Sequence, residues 1–201
     1  MVSPLILAIA TQNVKEVKRL IDRRTNVRES FNGIPAIALA VETGNTNIVR
    51  SLVRGGADIN VAYNNGKITP LNTACNKGDE TMVKLLLELG AEIDSSKALV
   101  GPIFSATKGK HIDIIHLLVA RGAKVNHVTL SEQEHGIQVE GQQAITEIST
   151  HNTPLHHAAY MYDMSTYEAL IELGADDMIK NSKDRTPRSI KEGIESLLTR
   201  R

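Results

Sequence analysis

The sequence predicts an all-α repeat solenoid, in which pairs of short helices stack on one another, and three recurrences carry that prediction. The first is in proline. All six prolines stand at the start of a short, largely apolar run, with Ser3, Pro35, Thr69, Gly101, Thr153 and Thr186 in equivalent places and steps of 32, 34, 32, 52 and 33 residues between them. The second is a segment bearing Val, Ile and Leu that begins at Val14, Asn47, Thr81, Asp113 and Ser165. The third is a Gly-Ala pair closing four of those segments, at Gly56-Ala57, Gly90-Ala91, Gly122-Ala123 and Gly174-Ala175. A fixed period near 33 residues marks a chain whose units cannot bury their own apolar faces and stack to make a continuous core.

Each unit follows the same local logic. Ser or Thr caps the first helix by accepting from its free amides. Proline then suits the first helical turn, where its missing N–H has no partner to lose. The helix is slim and Ala-rich, which lets neighbouring units approach closely. The second segment carries its branched apolar residues at helical spacing, and glycine ends it because a left-handed residue costs least there. Arg24-Thr25 takes the Gly-Ala place in the first unit, as a terminal unit allows. The opening MVSPLILAIA lacks a basic leader and contains Pro4, so it reads as a helix of the fold rather than a signal peptide. The last unit, from Thr186, is short and basic and reads as a C-terminal capping unit over 181–201.

These units resemble the ankyrin repeat, a roughly 33-residue unit built around T-P-L-H-x-A-A and G-A-D-x-N. TPLHHAA at Thr153–Ala159 with LGAD at Leu173–Asp176, and GADIN at Gly56–Asn60, carry the resemblance best. It covers 1–201 as one ankyrin-repeat domain of about five repeats plus the cap, apart from an insertion. Ala38, Asn72 and Phe104 replace the motif His, and Tyr162 stands where glycine usually ends the first helix. The resemblance implies helix-turn-helix units with β-turn fingers, and a structural role for His156.

The insertion is the 52-residue step, which exceeds 33 by 19 (52 minus 33) and falls between repeats 4 and 5, at 129–150. The resemblance places it at a finger. Its VTL and IQV runs, broken by Gly136 and Gly141, suggest a small hairpin. Glu132, Glu134, Glu140 and Glu147 lie here with no Lys or Arg. Two readings stand side by side: a tolerated surface loop, and a finger that touches a partner.

Composition narrows the chemistry. With 23 Lys+Arg against 23 Asp+Glu the net charge is zero, and there is no Trp, which disfavours nucleic acid on both phosphate and stacking grounds. The balance is local, however. Residues 1–30 carry six basic and three acidic groups, 95–128 five and one, 129–180 one and nine, and 181–201 six and three. Such alternation favours a mixed-charge protein partner over a uniform polyanion. One cysteine fits a reducing compartment, and Cys75 falls at a helix-packing position rather than beside an activating base. His151, His156 and His157 have no Cys or carboxylate placed to complete a metal site. The glycines fall at helix ends, with none cradling a phosphate.

The expectation is therefore a non-enzymatic, cytoplasmic, monomeric protein-interaction scaffold with no cofactor, no metal, no small-molecule substrate and no membrane span. The resemblance implies a concave binding face made by fingers and first helices. Carried over unit by unit, it draws partner binding from Tyr63, Asn64, Lys67, Asn76, Lys77, Lys108, His157, Tyr160, Met161 and Tyr162. Tyr160, Met161 and Tyr162 are weighted most, since interface hot spots favour Tyr and aromatics are rare in this chain. Alternatively, Tyr160 and Tyr162 pack under the insertion. Tyr167 occupies a second-helix core position. Two further roles stay open from the resemblance: Asn60 as a substrate of an asparaginyl hydroxylase, with Leu52 and Asp58 before it, and a bacterial effector, secreted into a host cell, that mimics host ankyrin proteins.

Overall fold

A computed structural model describes residues 2–94, 97–130, 133–137 and 145–199, and within it the chain forms two compact units, Met1–Ala98 and Leu99–Arg201. In the first unit helices come in pairs: α1 (Pro4–Ala10) with α2 (Val14–Asp22), α3 (Ala36–Glu42) with α4 (Thr46–Arg54), and α5 (Pro70–Lys77) with α6 (Glu80–Glu88). Strands β1 (Ser30–Phe31) and β2 (Ile34–Pro35) make a two-residue hairpin before α3. First helices stack on first helices, α3 on α1 and α5 on α3, while α4 lies beside α2. The second unit pairs α7 (Pro102–Lys108) with α8 (Ile112–Ala120) and α9 (Pro154–Tyr160) with α10 (Met164–Glu172), and ends in α11 (Pro187–Thr199), which packs on α9. Strands β3 (Gln133–Ile137) and β4 (Ile145–Ser149) pair antiparallel between the α8 and α9 repeats.

The core of each unit is the row of side chains that the period predicts. Leu5, Ile9, Ile37, Ile48, Leu52, Leu71, Met82 and Leu86 are fully buried in the first unit, and Ile103, Phe104, Ile114 and Ile115 in the second. Each such side chain contributes roughly 1.5–3 kcal/mol on burial. Cys75 is buried, and burial pushes its thiol well above the ordinary value, so it is a packing residue. Tyr167 is buried as expected.

Capping follows one rule with three chemistries. Thr153 is joined to His156, whose Nδ1 accepts from the Thr153 amide at 3.1 Å. In α5 the Oδ1 of Asn72 accepts from both the amide and the hydroxyl of Thr69 at 2.8 Å, so Asn does the work of the motif His. In α11 the pair is Thr186 and Ser189, which exchange amide-to-hydroxyl bonds at 3.0 and 3.1 Å. Where the cap position lacks a hydroxyl, the third helical residue is apolar: Pro35 stands with Ala38 and Gly101 with Phe104. Second helices are capped by Asn13, Asn45, Asp79 and Asp163, each accepting from the amide three residues on.

Helix ends are left-handed where the sequence places them. Gly56, Gly90, Gly122 and Gly174 have φ between 89° and 94°, and Arg24 takes the same region in the first unit at 59°. At the ends of first helices Gly44 and Gly78 are joined by Gln12, Lys110 and Tyr162, the last at φ 48°.

Candidate partner-binding faces

In the first unit the second finger is preformed. Tyr63 and Ile68 bridge, and Asn64, Asn65 and Gly66 all have positive φ, at 53°, 58° and 74°. Asparagine tolerates this region better than most residues, which is why an N-N-G tip turns here. The Tyr63 hydroxyl bonds to the Thr73 hydroxyl on α5, fixing the finger to the first helix. Asn64 is exposed, and Lys67 is half-exposed at the finger base. Asn76 and Lys77 lie exposed at the end of α5, where Lys77 donates to the Glu42 carbonyl and lies 3.4 Å from its carboxylate. The five expected residues of this unit thus sit on its α5 end and finger.

Asn60 ties one finger to the next. Its Oδ1 accepts from the Glu92 amide at 2.9 Å, and its own amide donates to Asp58. Asn126 does the same in the second unit, accepting from the Asp176 amide at 2.9 Å.

In the second unit Lys108 is exposed at the end of α7, and Met161 and Tyr162 are 45% and 37% exposed just past α9. The His157 ring tilts against Phe104, with centroids 5.1 Å apart. Burial, and then the nearby Lys108 charge, lower its pKa to about 4. It is therefore a neutral ring at physiological pH.

Of the two expectations for Tyr160, partner contact and packing under the insertion, its burial goes against the first. It is 4% exposed, and its hydroxyl accepts from the buried Asn181 amide group at 3.1 Å. The cause is long-range: Asn181 lies in the turn before α11 and also donates to Asn152 at 3.0 Å. Asn152 in turn bonds Ser149 at the end of β4, so Tyr160 belongs to a buried polar knot rather than a surface. Nothing local in the sequence signals Asn181, because its partners lie 21 and 29 residues away.

The insertion contains a hairpin; of the two expected runs, Val128 to Leu130 is not one of its strands, Ile137 lies in β3, and Gln138 and Val139 lie outside the described residues. Gln133 to Ile137 pairs with Ser149 to Ile145, and Gly136 sits inside β3 opposite Thr146 rather than breaking it. Val128 to Leu130 is engaged at the stem instead. The Thr129 amide donates to the Asn152 carbonyl at 2.8 Å, His151 returns a bond to Thr129, and Leu130 donates to Leu99. Thr150 and Ser182 then exchange two bonds that fasten the stem to the last finger. Glu132, Gln138, Val139, Glu140 and Gly141 lie outside the described residues.

Among the described residues no group of His, Cys, Asp and Glu side chains is placed to hold a metal, and no helix is long and apolar enough to cross a membrane.

The sequence profile of ankyrin repeats in three copies matches residues 62–129, and that of the single ankyrin repeat matches 32–64 and 150–184, together more than half of the chain. The chain belongs to the ankyrin-repeat family. Its relatives include the B-cell lymphoma 3 protein homolog of Mus musculus, 27% identical over 192 residues that make up 92% of this chain and 38% of that protein. A putative ankyrin repeat protein of Rickettsia felis is 28% identical over 147 residues, 68% of this chain and 56% of that protein. The chain thus spans between about two fifths and just over half the length of these curated relatives. Among solved structures, the human ASB11 ankyrin repeat domain superposes with a TM-score of 0.63 at 22% identity, covering 100% of this chain and 98% of that one. The last likeness is one of fold. Ankyrin repeats generally mediate protein–protein interaction, and this chain carries that architecture.

Proposed function

We propose that the chain is a non-enzymatic scaffold that holds a protein partner on the concave face implied by the family, with fingers and first-helix ends as contacts. The observation that carries this reading is the Met161-Tyr162 pair. A bulky side chain occupies a left-handed position that glycine fills in two other repeats, and both side chains are exposed. Backbone cost retained at an exposed aromatic points to use of that side chain. The contact set is Tyr63, Asn64, Lys67, Asn76, Lys77, Lys108, His157, Met161 and Tyr162, without the buried Tyr160. The scaffold is read as one ankyrin-repeat domain over 1–201 with a finger at 129–150 and a cap at 181–201, monomeric, cytoplasmic and without a cofactor.

The test is affinity purification from native lysate with mass spectrometry of co-eluting proteins. Wild type is run beside a variant lacking residues 130–149 and a Lys108→Ala/Met161→Ala/Tyr162→Gly variant. Loss of a partner with the triple variant supports the reading. Retention of every partner by both variants would move recognition elsewhere.

A further inference from the structure

In the first unit, first helices stack in one row and second helices in another, α4 lying beside α2. In the second unit α10 lies beside α8 and α11 continues the first-helix row on α9. A groove of about 550 Å³ opens between α10 and α11. Its apolar surface comes from the Tyr167 ring and from Ile171, which is 39% exposed although it sits on a helix whose neighbouring face is core.

The charges in the groove are unbalanced. Arg188 is engaged by Asp177, at 2.9 Å. Lys191 lies 3.7 Å from Glu195 and over the Tyr167 ring at 5.3 Å. Both cations of the lining are therefore already engaged. Glu168 and Glu172 on α10 and Glu192 on α11 also line the groove and are exposed, and Glu192 lies within the field of Arg188. Opposing carboxylates on the two walls, with an apolar strip between, match one shape of ligand: a helix with Leu-like residues along one stripe and Lys or Arg on both flanks. A second copy of this groove fits poorly, because its own carboxylates would meet these.

We infer that the α10–α11 groove is a docking site for a basic amphipathic helix of a partner protein. The inference does not rest on the finger-and-helix contacts proposed above, and the two fail separately. Docking would use the outer helix row, so loss of a partner through Met161 and Tyr162 leaves it intact.

The test uses the full chain and a capped 15-residue peptide of Leu and Lys arranged with a helical stripe. Controls are the same composition scrambled and a Leu/Glu counterpart. Backbone amide shifts in NMR and fluorescence anisotropy are the readouts. Saturable binding of the striped peptide, with shifts centred on Glu168–Glu172 and Arg188–Glu195, is expected. The variant Glu168→Lys/Glu172→Lys/Glu192→Lys alters only exposed side chains and is expected to weaken binding at least about tenfold. A second variant, Ile171→Ser, is expected to weaken it without changing charge. Equal binding by the scrambled peptide, shifts centred elsewhere, or unchanged affinity in both variants would overturn the inference. So would concentration-dependent mass in sedimentation that vanishes with Ile171→Ser, since the occupant would then be a second copy.

Discussion

Tyr162 holds φ 48° where Gly44 and Gly78 serve the equivalent turns of earlier repeats. A left-handed L-residue costs roughly 1–2 kcal/mol, part of which glycine returns through its freer unfolded chain. Tyr162→Gly should therefore raise stability by up to about 1 kcal/mol, seen as a Tm increase of a few degrees, while lowering partner capture. A Tm that falls would mean the ring is packed for stability. Gly101 is constrained in the opposite sense. A Cβ there would lie 2.9 Å from the His127 ring, and alanine caps a helix N-terminus less well than glycine, so Gly101→Ala should lower Tm on both counts. His157 supplies a pH dependence. Its folded pKa of about 4 lies below the ordinary 6.5, chiefly through burial and then through Lys108. The unfolded chain takes up the proton first, so this stability is fully present above pH 6.5 and is lost as pH falls toward 4, by up to about 3 kcal/mol. Urea midpoints at pH 7.5, 5.5 and 4.5 should fall in that order, and the fall should shrink in His157→Leu.

The helices and their ends were legible in the sequence because their signals are local. Proline at the first turn, Asn or Asp before each second helix except α8, and glycine after it act within four residues of where they sit. The family resemblance added that His156 is structural, and its Nε2 pairs with the Arg185 carbonyl at 3.0 Å. What the residues did not disclose is long-range. The buried knot of Asn152, Asn181 and Tyr160 joins segments more than 20 residues apart. The Val128 to Leu130 run misplaced one strand of the inserted hairpin because Thr129 and Leu130 are drawn into the stem by Asn152 and Leu99. The knot is where the last elements are held. Asn181→Ala removes one buried donor from the Tyr160 hydroxyl and one from Asn152, a loss of roughly 1–3 kcal/mol. Thermal denaturation should show it, and hydrogen exchange should accelerate at the Thr150 and Ser182 amides before it does in α5. Uniform acceleration along the chain would mean that the knot is not a local fastening.

For the molecule as a whole, neutrality is a sum over opposite local charges. Residues 95–128 are strongly basic, and 129–180 carry nine acidic groups against one basic. Many surface pairs, such as Lys84 with Glu80 and Lys180 with Asp184, lie on one helix or turn and contribute little individually. Their larger effect is on encounter. The association rate of a captured protein partner should fall roughly tenfold or more between 50 mM and 500 mM salt, with a smaller change in dissociation. Stopped-flow fluorescence separates the two rates, and a salt-insensitive association rate would show that the local fields do not steer the partner.

The stem of the insertion has a further consequence. The Thr129 amide donates to Asn152 and the His151 amide to Thr129, so the chain leaves and re-enters the repeat array through one doorway. What passes through that doorway is exchangeable cargo. A foreign epitope or a sensor loop of similar length, spliced in after Leu130 and before Thr150, would inherit two ends already held together, and the repeats on either side would keep their footing.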